Sequence, residues 1–321
     1  MTNVLITGCG GFIGSHLAEL MLNKGCNVYG TIFDFDGAKN ISHIRDKITL
    51  LNWDMKDKSQ SEHILQQSKP DVIFHLAAQS FVIPSWEDPE GTLKTNIFGT
   101  MYLLDAARKL APNATICVAC SSAEYGFVES DEIPISEFNP LRPSSPYALS
   151  KIGQDMLSYL YWKAYGMKIK RMRFFNTTGP RKTFDACSDF ARGIAEIEAG
   201  RKSTLKIGNL DGIRDITDVR DTVRAIDILA ENAPAGEVYN ICTGMGHRVG
   251  DLLDILLKMA KTGINVTVEP DTRRKIDDPI FIGDNTKMSK LGWKPEIPIE
   301  KTLSDMLHYW RAELAYSSTM K

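Results

Sequence analysis

Tyr147 and Lys151 stand four residues apart in the run Ser144-Ser145-Pro146-Tyr147-Ala148-Leu149-Ser150-Lys151. A helix through this run sets a phenol and an ammonium on one face, a turn apart. Such a pair suits proton transfer. A free phenol has a pKa of about 10, and a neighbouring ammonium favours the phenolate, bringing the proton within reach of chemistry at neutral pH.

At the start of the chain, Val4-Leu5-Ile6-Thr7-Gly8-Cys9-Gly10-Gly11-Phe12-Ile13-Gly14 runs from a short apolar strand through glycines into the helical pattern of Leu17, Ala18, Leu20 and Met21. Gly8, Gly11 and Gly14 allow a tight turn, close approach of backbone to a pyrophosphate and tight helix-on-strand packing, with the phosphates at the helix N-terminus. An ordinary turn is the bland alternative, but the position directly after the first strand favours a nucleotide cradle.

These two features need a scaffold that holds them together. Strand-like runs at 3–7, 26–32, 48–53, 71–76, 114–120 and 168–174 alternate with helical patterns at 12–24, 59–68, 91–110 and 146–165. This predicts an α/β fold, a doubly wound parallel sheet with helices on both faces. Beyond Phe175 the regularity loosens and Pro and Gly punctuate a smaller C-terminal lobe. The stretch 217–241 reads as a return to the sheet. The expected division is a dinucleotide-binding domain at 1–175, rejoined by 214–241, and a substrate-binding lobe from 176–213 and 242–321.

With 321 residues the chain exceeds most single cores, in keeping with two units. A net charge of −2 gives no electrostatic argument for nucleic acid or an anionic membrane. No apolar stretch approaches the ~20 residues needed to span a bilayer, and glycines break the N-terminus where a signal peptide would be apolar, so a cytoplasmic location is expected. The six cysteines are scattered. Cys117 and Cys120 fall in a strand-like run, where an odd offset sends them to opposite faces, as buried hydrophobes rather than a metal pair. No metal site is expected.

Further motifs agree in order: Thr7-Gly8-x-x-Gly11-Phe12-Ile13-Gly14, Asp54-Met55, His75-Leu76-Ala77-Ala78-Gln79, Asn96 within Thr95-Asn96-Ile97-Phe98-Gly99-Thr100, and the Tyr147/Lys151 pair. Over essentially its whole length the chain resembles the extended short-chain dehydrogenase/reductases that act on nucleotide sugars, the epimerase/dehydratase family. The resemblance implies a Rossmann-type first domain and an NAD cofactor, with NADP as the alternative. It also implies that Gly8, Gly11, Phe12, Ile13, Gly14, Asp54, Met55, Leu76, Ala77, Ala78, Gln79, Asn96, Tyr147 and Lys151 meet that cofactor. Within the family the chain is most similar to the GDP-mannose branch of 4,6-dehydratases and GDP-6-deoxy-4-keto-mannose reductases. Three segments carry this: Phe174-Phe175-Asn176-Thr177-Thr178-Gly179-Pro180-Arg181, Gly208-Asn209-Leu210-Asp211-Gly212-Ile213-Arg214-Asp215, and Arg274-Lys275-Ile276-Asp277-Asp278-Pro279. By the same resemblance Ser80, Ser122, Ala123, Asn176, Arg181, Asn209, Arg214 and Arg274 are expected at a GDP-linked sugar; the three arginines are the planar, permanently charged forks that suit a diphosphate.

Ala119-Cys120-Ser121-Ser122-Ala123-Glu124-Tyr125-Gly126 bears on the reaction. The resemblance makes Ser121 the catalytic serine that holds the sugar oxygen together with Tyr147; the bland reading is a strand-end cap. The 4,6-dehydratases carry a glutamate two residues before Tyr-Gly, which moves the C5 proton and assists loss of the C6 hydroxyl. Here that place is Ala123, and on an extended backbone Glu124 would point to the opposite face. Hydride exchange at C4 without elimination is the expected chemistry, with Tyr147 as acid or base and Lys151 on the nicotinamide ribose. Reduction of a GDP-4-keto-(6-deoxy)-hexose is favoured, with a 4-epimerase or 4-dehydrogenase holding NAD tightly as the alternative and a 4,6-dehydratase ranked behind them. A binding protein without activity is disfavoured by intact Ser121, Tyr147 and Lys151, and a redox-sensing regulator by the lack of a basic recognition helix.

At the end of the second strand an acid suits a free ribose and an arginine a 2′-phosphate. Asp34 is the candidate acid there, which favours NAD, although the family's usual acid position is occupied by Ile32. Finally, relatives commonly pair through the helix carrying the tyrosine. The run Met156-Leu157-x-Tyr159-Leu160-Tyr161-Trp162 offers more large apolar side chains than one face can bury, so a homodimer is expected.

Overall fold

Alternation of apolar residues sets the main sheet. In a computed structural model, which describes residues 1–33, 35–269 and 279–319, seven parallel strands run in the order β3-β2-β1-β4-β5-β6-β10. They are β1 (Asn3–Thr7), β2 (Asn27–Ile32), β3 (Thr49–Asn52), β4 (Val72–His75), β5 (Thr115–Ser121), β6 (Lys168–Phe174) and β10 (Val238–Ile241). Val4 and Ile6 face one core, which α1 (Phe12–Asn23) and α8 (Val219–Asn232) cover with Leu17, Met21, Ile226 and Leu229. Leu5, Ile73 and Ile116 face the other, covered by α2 (Lys58–Ser68), α5 (Gly99–Leu110) and α6 (Pro146–Tyr165). The period-2 alternation also separates Cys117 from Cys120: they are buried in opposite cores, as their offset predicts.

Helices begin where the sequence offers caps. Asp57 accepts from Ser59 N at α2, and Ser145 accepts from Ala148 N at α6, ahead of Pro146 in the first turn. Gly166, at φ 68°, ends α6. The predicted helix at 91–110 is a composite. Two short helices, α3 (Val82–Glu87) and α4 (Pro89–Leu93), lead into a π-helical turn at Lys94–Phe98, and α5 follows. A 3₁₀ segment, Phe35–Lys47, fills the β2–β3 connection, which the sequence pattern did not reveal.

The remainder forms a second assembly. β7 (Asn176–Thr178), β9 (Ile213–Asp218), β11 (Gly246–Arg248) and β13 (Ile280–Phe281) make one small sheet, and β8 (Leu205–Ile207) pairs with β12 (Val266–Val268). α7 (Ala186–Glu198), α9 (Val249–Lys258) and α11 (Ile299–Thr319) pack around Ile194, Leu256 and Leu307, and a short α10 (Thr286–Lys290) lies beside β10. The expected return at 214–241 therefore needs correction. β9 belongs to the small sheet, and only α8 and β10 rejoin the large one, where β10 aligns with β6. Among the described residues no helix is long and apolar enough to cross a membrane.

Candidate active site

The strand order reverses between β1 and β4, the point at whose carboxyl strand ends open α/β sheets bind their ligands. Gly8 lies at this point with φ 70°, a conformation that glycine adopts without strain; a Cβ on it would stand 3.0 Å from Ala77 Cα. A Cβ on Gly14 would meet the Gly8 carbonyl at 2.2 Å, so helix and loop touch backbone to backbone. Thr31 fastens the loop, its hydroxyl accepting from Gly8 N at 3.2 Å and its carbonyl from Cys9 N at 2.9 Å. The N-cap of α1 is Gly11, which has no side chain to satisfy the first-turn amides, and the first turn is free of acids. Those amides, at Phe12, Ile13 and Gly14, fit a pyrophosphate.

Around the cradle, Met55 is buried against Gly99, while the Asp54 carboxylate caps its own turn, accepting from Lys56 N at 2.9 Å. Leu76 packs on the α1 side of the sheet, and Ala77 and Ala78 remain partly open at the end of β4. Asp34, the candidate for reading the ribose, lies outside the described residues.

Asn96 ties the two halves of this site. Fully buried in the π turn, it accepts from Gln79 N at 2.9 Å and donates to Gln79 O at 2.9 Å and Ser150 Oγ at 2.8 Å. It thereby links the loop after β4 to the tyrosine helix. Below it, His75 bridges Thr7 Oγ1 and Thr100 Oγ1, each at 2.9 Å, and Thr100 in turn donates to Asn96 O at 2.6 Å. Burial, with the Lys151 charge adding to it, pushes the His75 imidazole down to about 3. Thr7, Thr100 and Ser150 lie inside the motifs quoted above but were given no role there, and sequence reading missed this network.

Tyr147 sits in the first turn of α6, half-buried, with its backbone N–H donated to Ser85 Oγ at 3.1 Å. Burial pushes its phenol up to about 12, and a hydrogen bond with Ser121 pulls it partly back. The expected depression by Lys151 is not what the structure contains. The ammonium is turned toward β5 and its own helix, donating to Ala119 O and Gln154 Oε1, each at 2.5 Å, and burial lowers its own pKa. The i,i+4 spacing set both groups on one face, but the longer lysine found buried acceptors beyond the phenol. Ser121 accepts from Ala123 N at 3.2 Å as a strand-end cap and also reaches the Tyr147 phenol.

The expected sugar-nucleotide residues are more dispersed. Ser80 is exposed after β4, Ser122 is buried and Ala123 is half-buried beside Ser121. Asn176 donates to Asp215 O at 3.2 Å, and Asn209 turns back to Asp211 N at 2.9 Å. The three arginines do not form a single fork. Arg181 reaches away to α1, with Nη2 on Glu19 Oε1 at 2.5 Å and Nη1 on Ser15 Oγ at 3.2 Å, whereas Arg214 lies on β9 against the Ile213 and Pro279 carbonyls. Arg274 lies outside the described residues.

A family model for GDP-mannose 4,6 dehydratase matches residues 5–306. The chain belongs to this family. GDP-6-deoxy-D-mannose reductase of Pseudomonas aeruginosa is 31% identical over 248 residues, 76% of this chain and 82% of the relative. GDP-mannose 4,6-dehydratase of Vibrio cholerae is 31% identical over 94% of this chain and 92% of its own. The structure of RMD from Pseudomonas aeruginosa complexed with NADPH superposes with a TM-score of 0.86 at 26% identity, covering 98% of this chain and 100% of that one. The chain is thus an enzyme of the NAD(P)-dependent nucleotide-sugar class, with the Rossmann-type sheet that its sequence predicts.

The loop after β5 bears on which reaction of the family this chain can perform. Ser122–Glu124 form a 3₁₀ turn rather than extended chain, and Glu124 is drawn underneath. Its carboxylate accepts from Ser121 N at 2.9 Å and from Arg173 Nε at 3.1 Å, with the side chain fully buried. Glu124 therefore leaves the cleft by turning below it, not by the strand alternation that the sequence suggests.

Proposed function

We propose that this enzyme reduces the C4 carbonyl of a GDP-linked 4-keto-6-deoxy-hexose. The observation that carries this reading is the pairing of Ala123 with a withdrawn Glu124. The position at which related dehydratases hold their elimination acid has no proton-transferring group, and the adjacent carboxylate is tied to Arg173.

The glycine cradle and the α1 N-terminus are suited to NAD(P), which when bound supplies the hydride. The chain's own residues do the rest. Ser121, whose oxygen accepts from Ala123 N–H, has one O–H, which in the absence of substrate serves the Tyr147 phenol and turns to donate to the sugar O4 when the sugar binds. Tyr147 gives its proton to the same oxygen as charge builds there, a contribution of roughly 10²–10⁴-fold for a positioned acid. Lys151, once it exchanges Gln154 for the ribose hydroxyls, favours the phenolate that remains. Arg214 and Asn176 on the small sheet are proposed for the nucleotide side of the substrate.

Two incubations scored by mass spectrometry test the reading. Given GDP-mannose and NAD or NADP, the enzyme forms no product lighter by one water. Given a GDP-4-keto-6-deoxy-hexose and NADH or NADPH, it forms a product heavier by two hydrogens. Efficient loss of water in the first would overturn the assignment.

A further inference from the structure

The groups beneath the catalytic surface form one continuous chain. Ser121 N–H donates to Glu124, Glu124 meets Arg173 Nε, and Arg173 meets Asp155 at 2.9 Å through Nε and 2.8 Å through Nη2. Asp155 lies on α6 one turn beyond Lys151, and Arg171 holds its other oxygen at 2.5 Å. The end of β5, which carries Ser121, and the helix that carries Tyr147 and Lys151 are thus fastened through buried side chains alone. Glu124, Asp155 and Arg173 are each at most 3% exposed. Surface pairs of this kind contribute little, but a dry, hydrogen-bonded set fixes geometry.

We propose that Glu124 is a positioning residue for the hydride-transfer site: its carboxylate closes the capping box on Ser121 and so holds the serine hydroxyl in register with the Tyr147 phenol. The capping box is complete in both directions: Ser121 Oγ accepts from the Glu124 N–H, beside its bond from Ala123 N–H, and Glu124 Oε1 accepts from the Ser121 N–H. These N–H groups hold the hydroxyl oxygen from behind and leave its one O–H for the phenol or, once bound, the substrate oxygen. The proposal rests on the reading of Ser121 and Tyr147 given above.

Reach and charge make opposite predictions here. The groups facing Glu124 are Cys120 on β5, Tyr147, Lys151 and Asp155 on α6, Arg173 on β6 and the neighbouring Tyr125. Burial and the facing Asp155 push Glu124 well up, and glutamine keeps an acceptor oxygen at the same reach without the charge. For Tyr147, the Ser121 hydrogen bond pulls the phenol down more strongly than the Glu124 charge pushes it up. Losing the reach to Ser121 therefore raises the phenol, whereas losing only the charge lowers it or leaves it in place.

The experiment compares Glu124→Gln, which keeps the acceptor and drops the charge, with Glu124→Asp, which keeps the charge and falls short of Ser121. Both are assayed with whichever nucleotide sugar the wild type turns over. Glu124→Gln is expected within about threefold of wild-type kcat. Glu124→Asp is expected to lose roughly tenfold or more, as sub-ångström misplacement does, with KM and the NADPH dissociation constant changed less than about threefold. In the reduction direction the protonated phenol is the active form, so the alkaline limb of the Asp variant moves to higher pH. A slow but folded Gln variant, or an Asp variant as fast as wild type, overturns the proposal; should the Asp variant not fold, the Gln result decides alone. Wild type that turns over no GDP-sugar would sink the proposed function instead, and another nucleotide sugar would still serve the comparison.

Discussion

The ammonium of Lys151 donates to Gln154 Oε1 at 2.5 Å, three residues along its own helix, rather than lying against the Tyr147 phenol four residues before it. Gln154 is fully buried, so this bond replaces solvation that the ammonium has lost. A bond to a charged group is worth about 1.5–3 kcal/mol. Gln154→Leu should lower the thermal midpoint by several degrees, read by calorimetry; an unchanged midpoint would mean that the Ala119 carbonyl alone suffices.

Tyr147→Phe removes the transferable proton and little else. Turnover should fall roughly 10²–10⁴-fold while NADPH binding, followed by its fluorescence, stays close to wild type. A loss of only a few-fold in the chemical step would take the acid role away from Tyr147.

His75 gives the stability a defined pH dependence. Its folded pKa, about 3, lies below the ordinary 6.5, so as pH falls below 6.5 the unfolded chain takes up a proton that the folded one refuses. Stability from this residue is full above about 6.5, and each unit below costs up to about 1.4 kcal/mol until roughly pH 3. His75→Asn should be less stable at pH 7 but lose less on going to pH 5, measured by urea unfolding. Parallel losses in both proteins would count against the assignment.

Guanine recognition is open to a simple binding comparison. GDP should raise the thermal midpoint more than UDP or dTDP at equal concentration, since a ligand stabilises the native state it binds. Better protection by UDP would remove the GDP assignment and leave the hydride chemistry standing.

The tyrosine helix leaves an apolar stripe uncovered. Leu157, Tyr161 and Trp162 pack into the core, but Leu149, Met156, Tyr159 and Leu160 are 40–55% exposed. Pairing of two copies through this stripe is expected, and light scattering at micromolar concentration should give twice the chain mass. A monomer would show that these side chains are simply solvated.

Local pattern sufficed where one element determines the outcome. The odd offset of Cys117 and Cys120 in β5, the 146–165 bounds of α6 and the glycine turn after β1 were all legible, because each depends on residues within a few turns of one another. The Tyr147/Lys151 pairing on one face was legible for the same reason. What the lysine and Glu124 do was not. Lys151 turns to Ala119 and Gln154, and Glu124 turns under to Arg173, because burial makes every polar group seek partners, and those partners come from strands far apart in sequence. Arg181 is the same case: its neighbours Glu19 and Ser15 are more than 160 residues away, and only tertiary packing brings them to it. That 217–241 returns to the sheet was foreseen, but neither the place of β10 beside β6 nor the departure of β9 into a second sheet was, since a strand's own sequence shows that it will pair and not with which neighbour.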